Sequence, residues 1–320
     1  MNKIFPLLVT ALITLTGCDS SPKKVSFDDT IYQHGEYYSP VDYELDLSVV
    51  CPTGAPAIGM YSLAEYWNSK FFTSNSPSTG VIPMFQSQEY SVIVAPTDSG
   101  LNQIMNLGAK YKIAATITFG NFYIVSFGRD TDETLNDGDK IVIFQENGIP
   151  GKTFKYLYGD LDLTITAVND ASATKLIIEN NGVFDGVEYD YILTAEPVMS
   201  ATNKTAFIDI QNEFATKTGG KLMTQASIFF RNDIDHEKAD KFLFAVKDKI
   251  EAGLANPDLI KTTIESVGSQ SEQISAFGVP GAMAKKVSLS NGFNLGFRYA
   301  NDIKDDIKEF VKIIDPDMVF

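Results

Sequence analysis

Four short turns carry the residues best suited to hold a ligand. Each follows a predicted strand and leads toward a predicted helix. In open α/β sheets ligands bind at this end of the strands, where the next helix presents free N–H groups and a partial positive charge. Each turn alone is also typical of an ordinary helix cap, so their common placement is what favours a binding site. The turns are Thr53-Gly54-Ala55, Thr97-Asp98-Ser99-Gly100, Gln145-Glu146-Asn147-Gly148 and Glu196-Pro197.

The histidines and acidic clusters form no recognisable catalytic or metal-binding pattern. His34 and His236 are the only histidines, and neither has a second metal ligand at a known spacing. The sequence contains no G-x-S-x-G, G-x-x-x-x-G-K-[ST] or H-E-x-x-H motif. The acidic runs DTDE (130–133) and DID (233–235) lack the complete calcium-loop pattern. We therefore predict no catalytic residue, metal ion or cofactor, and interpret the acidic runs as solvated loops and helix caps.

Strands and helices alternate along the chain, which is typical of an α/β fold with mainly parallel sheets. Asp235 and Asn301 are predicted to cap two of the late helices, and Pro257 to begin a third. Predicted strands cover residues 44–50, 90–96, 111–128 with a break at Gly120-Asn121, 140–144, 161–166, 188–195, 205–210 and part of 219–233. Predicted helices cover residues 55–67, 101–108, 151–159 and 171–181, and three segments after residue 234.

The order of these elements predicts two lobes. An acidic stretch at residues 129–139 and a β-type crossover near residues 222–230 mark a central insert. We predict that residues 44–128 and 223–320 form lobe 1 and that residues 129–222 form lobe 2. Two chain crossings between two lobes make a hinge, and ligands commonly bind in the cleft between such lobes.

The chain is acidic, because 26 Lys and Arg residues face 41 Asp and Glu residues, a net charge of −15 over 320 residues. A field of this sign argues against nucleic acid or anionic lipid as the main partner. Arg129, Arg231 and Arg298 are the only arginines, so few bidentate anion clamps are available. We expect a monomer whose length is sufficient for two lobes with cores of their own.

The first 18 residues have the form of an export signal. A positive start precedes an apolar run at residues 4–15. This run is shorter than the roughly 20 residues that a spanning helix needs and fits a signal peptide. It ends in LTGC (15–18), which resembles the bacterial lipobox. We predict a signal peptide at 1–17, a lipid on Cys18 that holds the protein on the membrane outside the cytoplasm, and a tether at 18–43. Cys51 then has no disulfide partner.

An ordered set of segments resembles the extracytoplasmic solute-binding proteins of ABC importers. The nearest branch includes sulfonate, nitrate and thiamine-pyrimidine binders; the chain lacks the cysteine-rich run of the related pyrimidine synthases. The resemblance implies a two-lobed periplasmic-binding-protein type II fold, which closes on a small solute and delivers it to a permease and its ATPase. The segments are CPTGAPAIGM (51–60), VIVAPTDSG (92–100), YKIAATITFGNFYIV (111–125), KIVIFQENG (140–148), LTAEPV (193–198), QASIFFRND (225–233), NPDLI (256–260) and NGFNLGFRYANDIKDDIKEFVKIIDP (291–316).

The resemblance also implies ligand contacts, but it leaves the ligand class open. An anion such as a sulfonate suits the helix ends and the hydroxyl groups, whereas ionised Asp98 and Glu196 suit an amine or an aminopyrimidine. By position, the contacts are Thr53, Gly54, Ala55, Thr97, Asp98, Ser99, Thr118, Gly120, Asn121, Gln145, Asn147, Gly148 and Glu196. Candidates for stacking on a flat ring, with core packing as the alternative, are Phe229, Tyr61, Phe119 and Phe144. The competing functions are an adhesive surface lipoprotein and an enzyme on the same scaffold.

Overall fold

The computed structural model describes residues 25–36, 43–127, 134–202 and 206–320. The strands are β1 (Val49–Pro52), β2 (Phe71–Ser74), β3 (Val92–Pro96), β4 (Tyr111–Thr118), β5 (Phe122–Ser126), β6 (Lys140–Phe144), β7 (Thr164–Val168), β8 (Val183–Phe184), β9 (Val187–Glu188), β10 (Tyr191–Ala195), β11 (Phe207–Asp209), β12 (Ala226–Arg231) and β13 (Leu295–Tyr299). The helices are α1 (Ala55–Gly59), α2 (Pro77–Gly80), α3 (Met84–Ser87), α4 (Thr97–Met105), α5 (Ile149–Tyr158), α6 (Ala171–Glu179), α7 (Val198–Thr202), α8 (Ile210–Thr218), α9 (His236–Ala255), α10 (Pro257–Glu265), α11 (Gln270–Phe277), α12 (Gly281–Ser288) and α13 (Lys304–Ile314). Two 3₁₀ segments cover Phe27–Thr30 and Tyr61–Tyr66.

The larger sheet has the strand order β13-β4-β12-β3-β1-β2. Strand β1 pairs in parallel with β2 and β3, whereas β12 is antiparallel to both β3 and β4. Its central strands are mostly apolar and are buried except at the last residues of β3 and β12, as expected for a sheet covered on both faces by helices. The sheet thus places the carboxyl ends of β1 and β3 at one edge, where the turn at residues 53–55 lies. Residues 97–100, predicted as a turn before a helix at 101–108, form the first turn of α4.

The smaller sheet has the strand order β11-β5-β10-β6-β7, with β6 parallel to both β7 and β10. Strand β5 belongs to this sheet, because it is antiparallel to β10 and β11. The predicted lobe 1 segment, residues 44–128, is therefore wrong for β5: the chain leaves the larger sheet after β4, at the Gly120-Asn121 break. It returns between Thr218 and Ala226. The predicted α/β class, with two mainly parallel sheets flanked by helices, is confirmed.

The C-terminal helix α13 packs across both sheets' helical layers. Its buried residues Ile307, Phe310, Val311 and Ile314 recur at helical spacing on one face. The Phe310 ring lies 5.8 Å from the ring of Phe214 in α8. The predicted lobe 1 includes α13. This helix nevertheless also contacts α8, a helix of the smaller sheet.

The described part of the predicted tether, residues 25–36, packs on the larger sheet. Phe27 and Ile31 are buried, and the Tyr32 amide donates to the Ile113 carbonyl oxygen at 2.8 Å. The Tyr32 hydroxyl donates to Asp240 at 3.0 Å. The prediction of a tether over 18–43 is therefore wrong for this segment, because its apolar side chains are buried against the fold. Cys18 lies outside the described residues.

Of the two predicted helix caps, one is confirmed and the other is wrong. Asp235 caps α9 by accepting from the Lys238 amide, as predicted. Asn301 does not cap α13, because that helix begins later and its N-cap position is Ile303, without a side-chain cap. In the described part of the chain, no helix is long and apolar enough to cross a membrane.

Candidate functional site

A cleft of about 870 Å³ lies between the two sheets and is lined from both. The turn after β1 and the first turn of α4, which directly follows β3, form one wall. The turns after β6, β7 and β10 form the other. The segments that cross between the sheets, at Asn121 and Gln225, line it as well. The ends of strands from two separate sheets thus converge on one space, which is where open α/β sheets bind ligands.

On the larger sheet's wall, the turn at residues 53–55 is held from behind by helix α11. The Gly54 amide donates to the carbonyl oxygen of Phe277 at 3.0 Å. Gly54 has φ of 88° and no atom within 4 Å of the space that a Cβ would fill. Glycine adopts this backbone conformation without steric cost, so the main chain lies open to the cleft. Asp98 and Ser99 join it from the first turn of α4.

On the smaller sheet's wall, residues 145–148 form a tight turn between β6 and α5. The Gly148 amide donates to the Gln145 carbonyl oxygen at 2.8 Å, and the Gln145 amide donates to Val168 at 3.0 Å. These bonds fix Asn147 and the start of α5 at the cleft. Lys152, which follows in the first turns of α5, also lines it. Phe122 and Phe144 add an apolar surface, with ring centroids 6.0 Å apart.

A hydrogen-bond network joins the two segments that cross between the sheets to the turn after β10. The Asn121 side-chain amide donates to the Glu196 carbonyl oxygen at 3.3 Å, and the Glu196 amide donates to the Asn121 carbonyl oxygen at 3.0 Å. The side-chain amide of Gln225 donates to Asn121 Oδ1 at 3.1 Å. These three residues come from three distant parts of the chain, and all of them line the cleft.

Two carboxyl groups of the cleft, those of Asp98 and Glu196, are desolvated by burial. Burial raises the pKa of Asp98, although the nearby Ser99 hydrogen bonds and the charge of Lys152 oppose the rise. Burial likewise raises the pKa of Glu196, against hydrogen bonds from the Ser200 amide at 3.0 Å and the Ser200 hydroxyl at 2.8 Å. Desolvation disfavours the charged form, so both groups gain from a partner that neutralises them.

Most of the predicted contact residues are placed together in this cleft. Those that line it are Thr53, Gly54, Ala55, Asp98, Ser99, Asn121, Gln145, Asn147, Gly148 and Glu196. Their role as ligand contacts remains a prediction. Thr97, Thr118, Gly120 and Phe229 do not line it.

Phe229 is a core residue of the larger sheet. Its side chain is fully buried in β12, and its ring lies 5.2 Å from that of Phe85 in an edge-to-face arrangement. It also packs against Gly100, at a distance that leaves no room for a Cβ there. The stacking role predicted for Phe229 is wrong, because the inward face of a central strand is covered by α4.

The other three residues hold the walls in place. The Thr97 hydroxyl is buried 2.7 Å from that of Ser227. Thr118 is buried at the end of β4. Gly120 has φ of 96° and packs against the Gln211 side chain, whose oxygen accepts from the Phe122 amide at 2.9 Å. All three therefore support the backbone that carries Asn121, Gln225 and the start of α4.

Sequence reasoning missed Gln225, Lys152 and Phe122. Lys152 lies in the first turn of α5, directly after the predicted turn at residues 145–148. This position at the start of a helix could have indicated that Lys152 lines the cleft. Gln225 precedes a strand by one residue, and nothing in the local sequence distinguishes it. Of the predicted aromatic residues, Phe144 lines the cleft, whereas Tyr61 lines a separate cavity and Phe119 packs in the core. In the described residues no group of three or more His, Cys, Asp or Glu side chains is arranged to hold a metal ion.

Comparison with solved structures identifies the fold. No family model matches the sequence, and no curated protein matches it. An ABC transporter protein from Parabacteroides distasonis is similar in structure, with a TM-score of 0.64, 17% identity, and coverage of 84% of this chain and 92% of that one. The ligand-binding component of an ABC-type import system from Staphylococcus aureus, solved with zinc bound, has a TM-score of 0.54 at 9% identity over 86% and 92% of the two chains. A Thermoplasma volcanium protein assigned to nitrate transport has a TM-score of 0.52 at 14% identity over 84% and 92%. The chain therefore has the fold of periplasmic binding proteins.

Proposed function

We propose that the protein is an extracytoplasmic solute-binding protein, which captures a small organic solute between its lobes and delivers it to the permease of an ABC importer. One observation carries the proposal: a cleft of about 870 Å³ lined by polar turns from both sheets. The structural neighbours that are described as parts of ABC transport systems support it at the level of fold.

The proposed activity is a binding equilibrium coupled to lobe closure. Two crossings, at residues 119–121 and 219–225, join the sheets, and a hinge with two strands is a common basis for closure around a ligand. A ligand that contacts both walls stabilises the closed form by its differential affinity. Both histidines lie on the far part of the larger sheet, where His34 stacks on Tyr299 and His236 stacks on Tyr32. An enzyme on this scaffold would therefore have to act without a histidine base in the cleft.

A thermal-shift screen of the full-length protein tests solute binding. The panel contains sulfonates, nitrate, pyrimidines, purines, amino acids and polyamines. A ligand at 100 times its dissociation constant adds about 2.7 kcal/mol to the unfolding free energy, which raises Tm by a few degrees. Asn147→Trp places an indole at the cleft and should abolish the shift. Asn232→Trp, at an exposed position on the larger sheet's far side, should retain it.

The same screen distinguishes the adhesive alternative. A protein that is shown by mass spectrometry to be free of small molecules, and that no member of the panel stabilises, argues against solute binding. An adhesion role would then be the better explanation of a lipid-anchored body.

We further propose that a lipid on Cys18 holds the protein at the membrane outside the cytoplasm. The support is the LTGC segment and the apolar run before it. Labelling of bacteria with a radioactive fatty acid should mark the protein, and Cys18→Ala should abolish the label. Cys51 is buried, so Cys51→Ala serves as the control that should retain it.

A further inference from the structure

The cleft is rich in hydrogen-bond acceptors. Among the described residues that line it, Asp98, Glu146 and Glu196 are acidic, and Lys152 is the only basic residue. Lys152 is close enough to Asp98 to counter part of the burial effect on that carboxyl group. Lys286, which does not line the cleft, acts on Glu196 in the same way, so both buried carboxyl groups are only partly compensated inside the protein.

The hydrogen bonds of Asn121 determine which side-chain atom of Gln225 has no hydrogen-bond partner among the described residues. The Glu196 carbonyl oxygen can only accept, so the atom of Asn121 that contacts it must be the amide nitrogen. Asn121 Oδ1 is then the acceptor for Gln225, which must present its own amide nitrogen there. Gln225 Oε1 is therefore the free end, and it is a buried acceptor with no partner among the described residues.

Glu196 provides the second acceptor. Only 8% of this residue is exposed, and Ser200 supplies one hydrogen bond to each of its carboxylate oxygens. Each carboxylate oxygen has a further lone pair. A buried acceptor or charge without a partner is costly, so this part of the cleft favours a ligand that donates hydrogen bonds and carries positive charge.

We propose that the solute is a small organic cation, whose ammonium or amidinium N–H groups donate to Gln225 Oε1 and to the Glu196 carboxylate. Its hydrocarbon part lies on the apolar surface of Phe122 and Phe144. This inference rests on the proposed solute-binding function and names the class of solute.

Paired probes of equal size and opposite charge test it on the full-length protein. Benzamidinium is compared with benzoate, and 1,4-diammoniobutane with succinate, by calorimetry and thermal shift. The cations should bind and the anions should not. Gln225→Leu and Glu196→Gln should each weaken cation binding by about tenfold or more, because each removes an acceptor for a charged donor. The matched controls Gln270→Leu and Asp160→Asn, both at exposed positions, should leave the affinity unchanged.

The remaining outcomes separate the two proposals. Binding of the anions, above all of benzoate with an affinity that increases as the pH falls, would mean that protonated cleft carboxyl groups donate to an anion. That result overturns the cation assignment and leaves solute binding in place. Cation binding that neither Gln225→Leu nor Glu196→Gln weakens overturns the assigned contacts. No binding of either pair, together with no response in the wider solute panel and no retained small molecule, overturns both proposals.

Discussion

The hydroxyl groups of Thr97 and Ser227 lie 2.7 Å apart, buried beneath the cleft. Ser227 also lies 2.9 Å from the hydroxyl group of Thr116. Three neighbouring strands, β3, β12 and β4, are thereby joined at the point where α4 begins. The Thr97 amide adds a bond to the Gln225 carbonyl oxygen at 3.1 Å, so the position of Asp98 and Ser99 depends on this cluster.

Ser227→Ala should lower the free energy of unfolding more than Thr97→Val does. The serine change leaves two buried hydroxyl groups without Ser227, whereas the valine change leaves Ser227 bonded to Thr116. We expect a loss of about 2 kcal/mol for Ser227→Ala and about 1 kcal/mol for Thr97→Val, measured by urea unfolding. Ser266→Ala, which removes an exposed helix hydroxyl, is the control. Equal losses for the two cluster variants would contradict the shared role of Ser227.

Gly100→Ala should destabilise the larger lobe through a clash with Phe229. A Cβ at residue 100 overlaps the Phe229 ring, which is fully buried and packs against the ring of Phe85. Overpacking of this kind costs about 1–3 kcal/mol. Phe229→Leu in the same chain should recover part of the loss, because it removes the ring atoms that clash. A double variant as unstable as the sum of the two single variants would show that the residues are not coupled.

The stability of Glu196→Gln relative to wild type should depend on pH. Burial raises the pKa of Glu196 in the folded protein. The folded state therefore binds this proton more tightly than the unfolded chain, and the group's contribution to stability falls as the pH rises through the folded pKa. Glutamine does not titrate. The urea midpoint of Glu196→Gln minus that of wild type should increase between about pH 4 and about pH 8.

Asp160→Asn is the matched control for this pH series, since it also removes one negative charge but at an exposed position. Its midpoint difference should change less over the same range. A flat difference for Glu196→Gln would mean that this carboxyl group does not titrate differently in the folded and unfolded states.

Asp235→Ala should destabilise the protein, and Asn301→Ala should not do so to the same degree. Asp235 accepts from the Lys238 amide at 3.0 Å at the start of α9, and loss of such a cap costs about 1 kcal/mol. Asn301 lies outside α13 and provides no cap, so its replacement should change the unfolding free energy by less than about 0.5 kcal/mol. A larger cost for Asn301→Ala would restore it as the cap of α13.

Removal of residues 1–36 should lower Tm, whereas removal of residues 1–24 should not. The first deletion removes Phe27, whose ring lies 5.2 Å from Phe320, and Tyr32, which bonds Asp240. Burial of large apolar side chains contributes about 1.5–3 kcal/mol each, so the difference should be several degrees. Equal values for the two proteins would return residues 25–36 to the role of a tether.

The fold class followed from the sequence because strand and helix signals are local. The buried runs at β1, β3, β6 and β10 and the polar turns after them were predicted from periodicity and composition. The boundary between the sheets was not, because β4 and β5 form one nearly continuous β-type stretch. Only pairing with β10 and β11 decides that β5 belongs to the smaller sheet, and pairing partners more than 60 residues away leave no local mark.

The sequence by itself determined the polar turns at the ends of strands, because their residue types are set by helix starts and tight backbone geometry. The tertiary structure decided which of those residues line the cleft. Thr97 and Phe229 were reasonable candidates by position, yet Ser227 and α4 bury them. Gln225 had no motif. Its side-chain amide nitrogen is directed to Asn121, so its Oε1 is an acceptor without a partner in the described part of the chain. Hydrogen-bond polarity of this kind is set by contacts between distant segments, and it exists only once the chain has folded.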